Sequence, residues 1–250
     1  MPFVALSIAG SDPGGGAGIQ ADLKTFHRFD VYGTAVVTLV TVQNTVRLSR
    51  SVTLDAALVL EQIEAVLEDL PPRAIKTGAL GSCAIVKAVA GVSYPGPLIV
   101  DPVTFSSTGS PLLDAEGQRA VRDLLLPRAS LVTPNVPEAA QLSGIEIHTV
   151  DDMREAARRI AALGPAAVLV KGGHLESADA IDVLFSHSEP SHAWNRLHLF
   201  GGHYGPAGSG NSTRRRRRTG QGVYYRGHPN GARAGFRRRA PESLGLNHWP

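Results

Sequence analysis

The chain has 250 residues, 43% of them hydrophobic, which is enough for one α/β domain with a substantial core and too few for two large ones. No apolar stretch approaches the roughly 18 residues of a membrane span, and the first residues carry no basic flank or cleavage signal, so the expectation is a soluble, cytoplasmic protein with no membrane partner. The net charge of +3 averages two unlike parts: residues 1–190 carry 14 basic and 21 acidic side chains, whereas residues 191–250 carry 11 Arg and one acid, Glu242.

From residue 3 to about 185, apolar runs of strand length alternate with segments of helical period, which predicts a mostly parallel sheet covered by helices. Strands are expected at 3–9, 31–42, 74–77, 98–101, 130–133, 166–171 and 182–185. The first runs into Gly10-Ser11-Asp12-Pro13-Gly14-Gly15-Gly16-Ala17-Gly18, and Ile19-Gln20-Ala21-Asp22-Leu23-Lys24 then opens a helix. In 55–70, Val59, Ile63, Val66 and Leu67 share one stripe, and Pro71-Pro72 stops the helix. A second helix is expected at 151–163, ended by Gly164-Pro165. Cys83 is the single cysteine; it excludes internal disulfides and thiolate zinc sites and reads as a buried, inert thiol. Beyond about residue 187 the order stops. Eleven glycines, the arginine runs 214–218 and 237–239 and little apolar periodicity predict an irregular or disordered tail.

A glycine loop between strand and helix brings backbone close to a ligand and offers it free N–H groups. The spacing here fits neither the phosphate-binding P-loop nor the dinucleotide fingerprint, since no Gly-Lys-Ser/Thr follows and no acidic residue ends the next strand at the required distance. The longer string from Ile8 to Asp22, however, resembles the N-terminal signature of the hydroxymethylpyrimidine/phosphomethylpyrimidine kinases of thiamine biosynthesis, members of the ribokinase-like superfamily. The resemblance continues through Tyr32-Gly33-Thr34, Val42-Gln43-Asn44-Thr45, Ile75-Lys76-Thr77-Gly78, Val100-Asp101-Pro102-Val103, Thr133-Pro134-Asn135-Val136-Pro137-Glu138-Ala139 and Val170-Lys171-Gly172-Gly173-His174. It implies a three-layer α/β fold with helices on both faces of the sheet, a kinase core over residues 1–187 and an aberrant tail over 188–250.

On the residues alone, Asp22 reads as an exposed helix carboxylate and Gln43 as a strand-end amide. The resemblance instead assigns both to the aminopyrimidine edge of the substrate, with Gly10 and Ala79 beside them; a carboxylate and an amide suit a ring that offers an amine and ring nitrogens. It further assigns Asp101, Asn135 and Lys171 to ATP and its phosphates, and Asp101 and Glu138 to Mg2+, held in part through water. The implied reaction is ATP- and magnesium-dependent phosphorylation of 4-amino-5-hydroxymethyl-2-methylpyrimidine and of its monophosphate. Family members are often dimers, so a homodimer is a further expectation. Two alternatives stand beside this one: a pyridoxine or pyridoxal kinase, and a non-catalytic pyrimidine-binding relic. The arginine runs suit nucleic acid by charge, but few aromatics interleave with them and no binding module surrounds them, so no nucleic-acid partner is expected.

The tail departs from the family. Members place a late Gly-Thr-Gly-Cys motif at a helix N-terminus, where the amides form an anion hole and the cysteine serves as base; this motif is absent, so no catalytic residue is assigned in frame. Codons that encode residues 193–204, read one base later, yield His-Gly-Thr-Gly-Cys-Thr-Ser-Ser-Ala-Ala-Ile-Thr, and residues 220–234 similarly yield a family-like closing helix. The expectation is a frameshift near 186–191, with a short deletion there and a compensating shift near 242.

Overall fold

Val, Ile and Leu runs form the strands that the alternation predicts. The computed structural model describes residues 3–94, 96–106, 109–173 and 181–187, together with the backbone of 222–226. The strands are β1 (Val4–Ser11), β2 (Tyr32–Gln43), β3 (Leu48–Thr53), β4 (Ala74–Thr77), β5 (Leu98–Val100), β6 (Leu131–Val132), β7 (Ala167–Val170), β8 (Ile181–Ser186) and β9 (Gly222–Arg226). They form one sheet in the order β3-β2-β1-β4-β5-β6-β7-β8-β9. The run from β2 to β7 is parallel, and β3, β8 and β9 pair antiparallel at the two sides.

The helices are α1 (Gly18–Arg28), α2 (Ala56–Asp69), α3 (Cys83–Gly91), α4 (Ala115–Ala120), α5 (Val136–Ser143) and α6 (Val150–Ala161). Helix α4 runs on through a π turn at Val121–Leu125 and a 3-10 turn at Leu126–Arg128. Because successive strand residues point to opposite faces, each strand divides its side chains between two cores. Ala5, Ala74, Ile99, Leu131, Ala167 and Leu184 pack on the face that carries Phe26 of α1. Leu6, Ile8, Ile75, Val100, Val132 and Val168 pack on the other, with Val59 and Ile63 of α2, Val86 of α3 and Met153 and Ile160 of α6. Helices therefore cover both faces, as expected. A fully buried aliphatic side chain such as Ile63 contributes about 1.5–3 kcal/mol, and the larger cluster supplies most of the driving force.

Three local differences from the sequence expectation have physical causes. Strand β3 is not among the strands expected: Leu-Ser-Arg-Ser-Val-Thr has few apolar residues, and it forms by pairing along the edge of β2, mostly exposed. The helix expected at 151–163 starts one residue earlier, because Thr149 and Asp152 form a reciprocal capping box. Within the tail expected to be irregular, Gly222–Arg226 is a strand paired with β8, in keeping with the strand preference of Val-Tyr-Tyr. The rest of 188–250, including the stretch that replaces the family's late motif, lies outside the described residues.

The strand order places β1 third, with β2 and β3 to one side and β4 onward to the other. In such sheets the crevice lies beyond the carboxyl ends of the strands, where the order reverses. That point is between β1 and β4, so Gly10 and the residues after Thr77 border it.

Candidate active site

The glycine loop is organised by its own side chain. The Asp12 carboxylate accepts the amides of Gly14 at 2.7 Å, Gly16 at 3.0 Å and Ala17 at 2.9 Å, so donors expected to face a ligand are satisfied internally. Burial works against ionisation of Asp12, yet hydrogen bonds from the Gln43 side chain and the loop amides hold its carboxyl below the usual carboxylate range. The Asp12 amide donates to Gln20 at 2.9 Å, and the Gln20 side-chain amide donates to Ser11 Oγ at 2.7 Å, which ties α1 to the end of β1. Gly18 opens α1 at φ +57°, and a Cβ there would stand 2.2 Å from the Gly10 carbonyl oxygen, so only glycine fits this close approach.

Asp22 is buried rather than exposed. Lys76 Nζ donates to both of its oxygens at 2.8 Å, and Ser7 Oγ donates to Oδ2 at 2.6 Å. Ser7 and Lys76 are register partners on β1 and β4, which sets both beneath α1. Sequence reasoning singles out neither; the available signal is a lysine inside the apolar strand Ala-Ile-Lys-Thr, since a buried lysine requires a partner. Gly10 packs against Leu39, where a Cβ would meet Leu39 Cδ1 at 2.7 Å. The Ala79 carbonyl accepts Thr38 Oγ1 at 2.6 Å, which fixes the loop after β4 to β2. Gln43 ends β2, half-buried, beside Asp12.

The four residues expected at the phosphates and metal come together at the ends of β5, β6 and β7. Lys171 Nζ is 3.0 Å from Asp101 Oδ1, and the Lys171 amide donates to the Pro134 carbonyl at 2.8 Å. Asn135 caps α5 by accepting the Glu138 amide at 2.9 Å, while Glu138 accepts the Asn135 amide at 2.9 Å. Burial works against ionisation of Asp101, but Lys171 and then Lys76 hold its carboxyl below the usual range. For Glu138, burial and then the Asp101 charge push the carboxyl up to about 7. Burial opposes the charge of Lys171, and the surrounding carboxylates Asp101 and Glu138 outweigh it and push its pKa up. Asp182 on β8 accepts the Gly172 amide at 2.9 Å, and its pKa is raised by burial.

Asp101 and Glu138 supply hard oxygen donors close enough for the Asp101 charge to oppose ionisation of Glu138, a pairing whose chemistry would suit a magnesium ion. Among the described residues no group of three or more His, Cys, Asp or Glu side chains forms a direct metal cage. Cys83 is buried in the larger core, as expected, with its thiol 3.5 Å from Glu116 Oε1. Among the described residues no helix is long and apolar enough to cross a membrane.

Residues 12–203 match the family model described as phosphomethylpyrimidine kinase. A hydroxymethylpyrimidine/phosphomethylpyrimidine kinase from Synechococcus elongatus is 51% identical over 172 residues, which cover 68% of this chain and 65% of that relative. Among solved structures, a phosphomethylpyrimidine kinase from Clostridium difficile is 44% identical with a TM-score of 0.69, over 75% of this chain and 82% of that one. A Staphylococcus aureus pyridoxal kinase, solved in complex with AMP-PCP and pyridoxal, is 36% identical with a TM-score of 0.68, over 75% of this chain and 69% of that one. With this sheet order, this glycine loop and the carboxylate–lysine edge beyond β5 to β7, the chain belongs to the phosphomethylpyrimidine kinase family.

Proposed function

We propose that this chain carries the scaffold and substrate pocket of an ATP-dependent kinase for 4-amino-5-hydroxymethyl-2-methylpyrimidine and its monophosphate. The observation that carries the reading is that two groups share the carboxyl edge of the sheet: Asp22, Gln43, Gly10 and Ala79 around the β1/β4 crevice, and Asp101, Asn135, Glu138 and Lys171 beyond β5 to β7. In this reading Asp22 and Gln43 meet the aminopyrimidine edge. Lys171 faces the ATP phosphates as a point charge. Magnesium, held by Asp101 and Glu138 through water, neutralises phosphate charge when bound. Asn135 holds the Glu138 loop in place.

Phosphoryl transfer also needs a base for the acceptor hydroxyl and preorganised donors for the moving phosphoryl group. The family's Gly-Thr-Gly-Cys motif, which supplies both, is absent from the sequence, so the proposal includes impaired turnover by this polypeptide. The frameshift remains our explanation of that absence. The division at residue 187, a cytoplasmic location, a homodimeric assembly and the lack of a nucleic-acid partner belong to the same proposal.

Calorimetric titration of the purified chain with the hydroxymethylpyrimidine, alongside a coupled ATPase assay, tests it. Pyrimidine binding with little turnover is expected; absence of binding sinks the pocket assignment, and full turnover sinks the claim of impairment. The likeness to a pyridoxal kinase supports a second reading in which pyridoxine is the better ligand. Parallel titration with pyridoxine separates the two.

A further inference from the structure

Lys171 stands just past β7, where the sheet's hydrogen bonding runs out on both sides. In an extended chain, successive N–H groups point toward opposite neighbouring strands. The Lys171 amide turns to the β6 side, where it donates to the Pro134 carbonyl at 2.8 Å and pairs in a parallel bridge with Asn135. The Gly172 amide faces β8. The last register pair between β7 and β8 is Val170 with Val183, and the same register sets Gly172 opposite Ile181. The two backbones touch there, since a Cβ on Gly172 would lie 1.9 Å from the Ile181 carbonyl oxygen. It is the Asp182 side chain, however, that receives the Gly172 amide, at 2.9 Å on Oδ1.

A lysine carries its charge on a flexible four-carbon stem, so the backbone beneath it decides where that charge is delivered. With the amide of residue 171 fixed to the β6 side and the amide of residue 172 fixed to Asp182, the backbone on either side of the Lys171 Cα is held, and Nζ rests 3.0 Å from Asp101 Oδ1. We propose that Asp182 is a positioning residue that locks the peptide after Lys171 and so aims the Lys171 ammonium at the ATP phosphates, a role that rests on the assignment of Lys171 to those phosphates. What the role requires is an acceptor oxygen at the place of Oδ1. Asparagine can supply one, and alanine cannot. Glutamate keeps the charge but carries its oxygens one methylene too far.

The test is calorimetric titration with AMP-PCP in the presence of Mg2+, on the full chain, on Asp182→Ala, on Lys171→Ala and on the double variant. Each single change is expected to weaken AMP-PCP binding by about tenfold. The double variant is expected to bind within about threefold of Lys171→Ala, because both changes act through one ammonium. Asp182→Asn is expected to stay within about threefold of the unsubstituted chain, and the affinity for 4-amino-5-hydroxymethyl-2-methylpyrimidine to shift by less than about threefold throughout, which a general loosening of the fold does not allow. Unchanged AMP-PCP binding in Asp182→Ala, additive losses in the double variant, an equal loss for the pyrimidine, or a loss in Asp182→Asn as large as in Asp182→Ala overturns the inference and leaves the Lys171 assignment standing. If the unsubstituted chain binds no AMP-PCP, or Lys171→Ala binds it as well, the assignment falls and the inference with it. Should Asp182→Ala fail to fold, Asp182→Glu takes its place in the cycle with the same loss expected, and unchanged binding there overturns the inference.

Discussion

Glu138 combines two functions that pull against each other: it caps α5 through the Asn135 amide, and it stands buried beside Asp101. Its carboxyl is pushed up to about 7 in the folded chain from an ordinary value of 4.5. Between these values the folded state binds more protons than the unfolded state, so stability falls as pH rises through the window, by an amount on the order of 3 kcal/mol. Glu138→Gln retains an oxygen for the Asn135 amide and cannot ionise. Urea unfolding from pH 4.5 to 7 is therefore expected to show a downward slope that is flattened in the variant; parallel slopes contradict the assignment. Lys76 makes the opposite case, because Lys76→Met leaves the Asp22 carboxylate buried without its partner. A loss of about 3–5 kcal/mol is expected for breaking one side of such a pair, measured by the same unfolding. Asp101 and Lys171 stand at the ends of predicted strands, whereas Asn135 and Glu138 were singled out only through the resemblance to the family; the fold brings the four side by side. The Ser7–Asp22–Lys76 triad was not legible, since its members are 15 and 54 residues apart and meet only after β1 and β4 pair.

At the scale of elements, strong period made existence legible, and partner-dependent pairing did not. Strands β1, β2, β4 and β7 follow the apolar runs within two residues, and α2 follows its stripe of Val59 and Ile63. Strand β3 depends on its neighbour β2, and β6 shrinks to two residues because only Leu131 and Val132 lie between β5 and β7. The junction between β1 and α1 depends on glycine for space as well as conformation. Gly18→Ala places a methyl group against the Gly10 carbonyl oxygen in a left-handed backbone, and is expected to cost more than about 1 kcal/mol. Thr149→Ala removes one half of the α6 capping box and is expected to cost about 1 kcal/mol without altering ligand binding. Thermal unfolding in the presence and absence of the pyrimidine distinguishes the two, since Gly18 borders the crevice and Thr149 does not.

At the scale of the whole molecule, one sheet runs from β3 to β9, and the tail, whose sequence departs from the family's late motif, adds its last strand. A mostly parallel sheet was legible from the alternation of strands and helices, but the order of strands was not, and the reversal at β1 that marks a crevice is seen only in the folded chain. In the proposed reading the chemistry of the last step is a separate matter, because binding groups and transfer groups belong to different parts of the chain. If the frameshift explanation holds, restoring the frame over 186–242 adds the anion-hole amides and the cysteine base while leaving Asp22, Gln43, Asp101 and Lys171 unchanged. Losing preorganised donors at a developing negative charge costs about 100-fold to 1,000-fold in kcat for a single group. The restored chain is therefore expected to turn over the hydroxymethylpyrimidine at least about 100-fold faster than the chain with the arginine-rich tail, with pyrimidine affinity similar in both. Comparable turnover by the two chains means that the residues already present perform the transfer, and that the missing motif is dispensable in this family member. A large difference in affinity instead means that the tail helps to build the pocket itself.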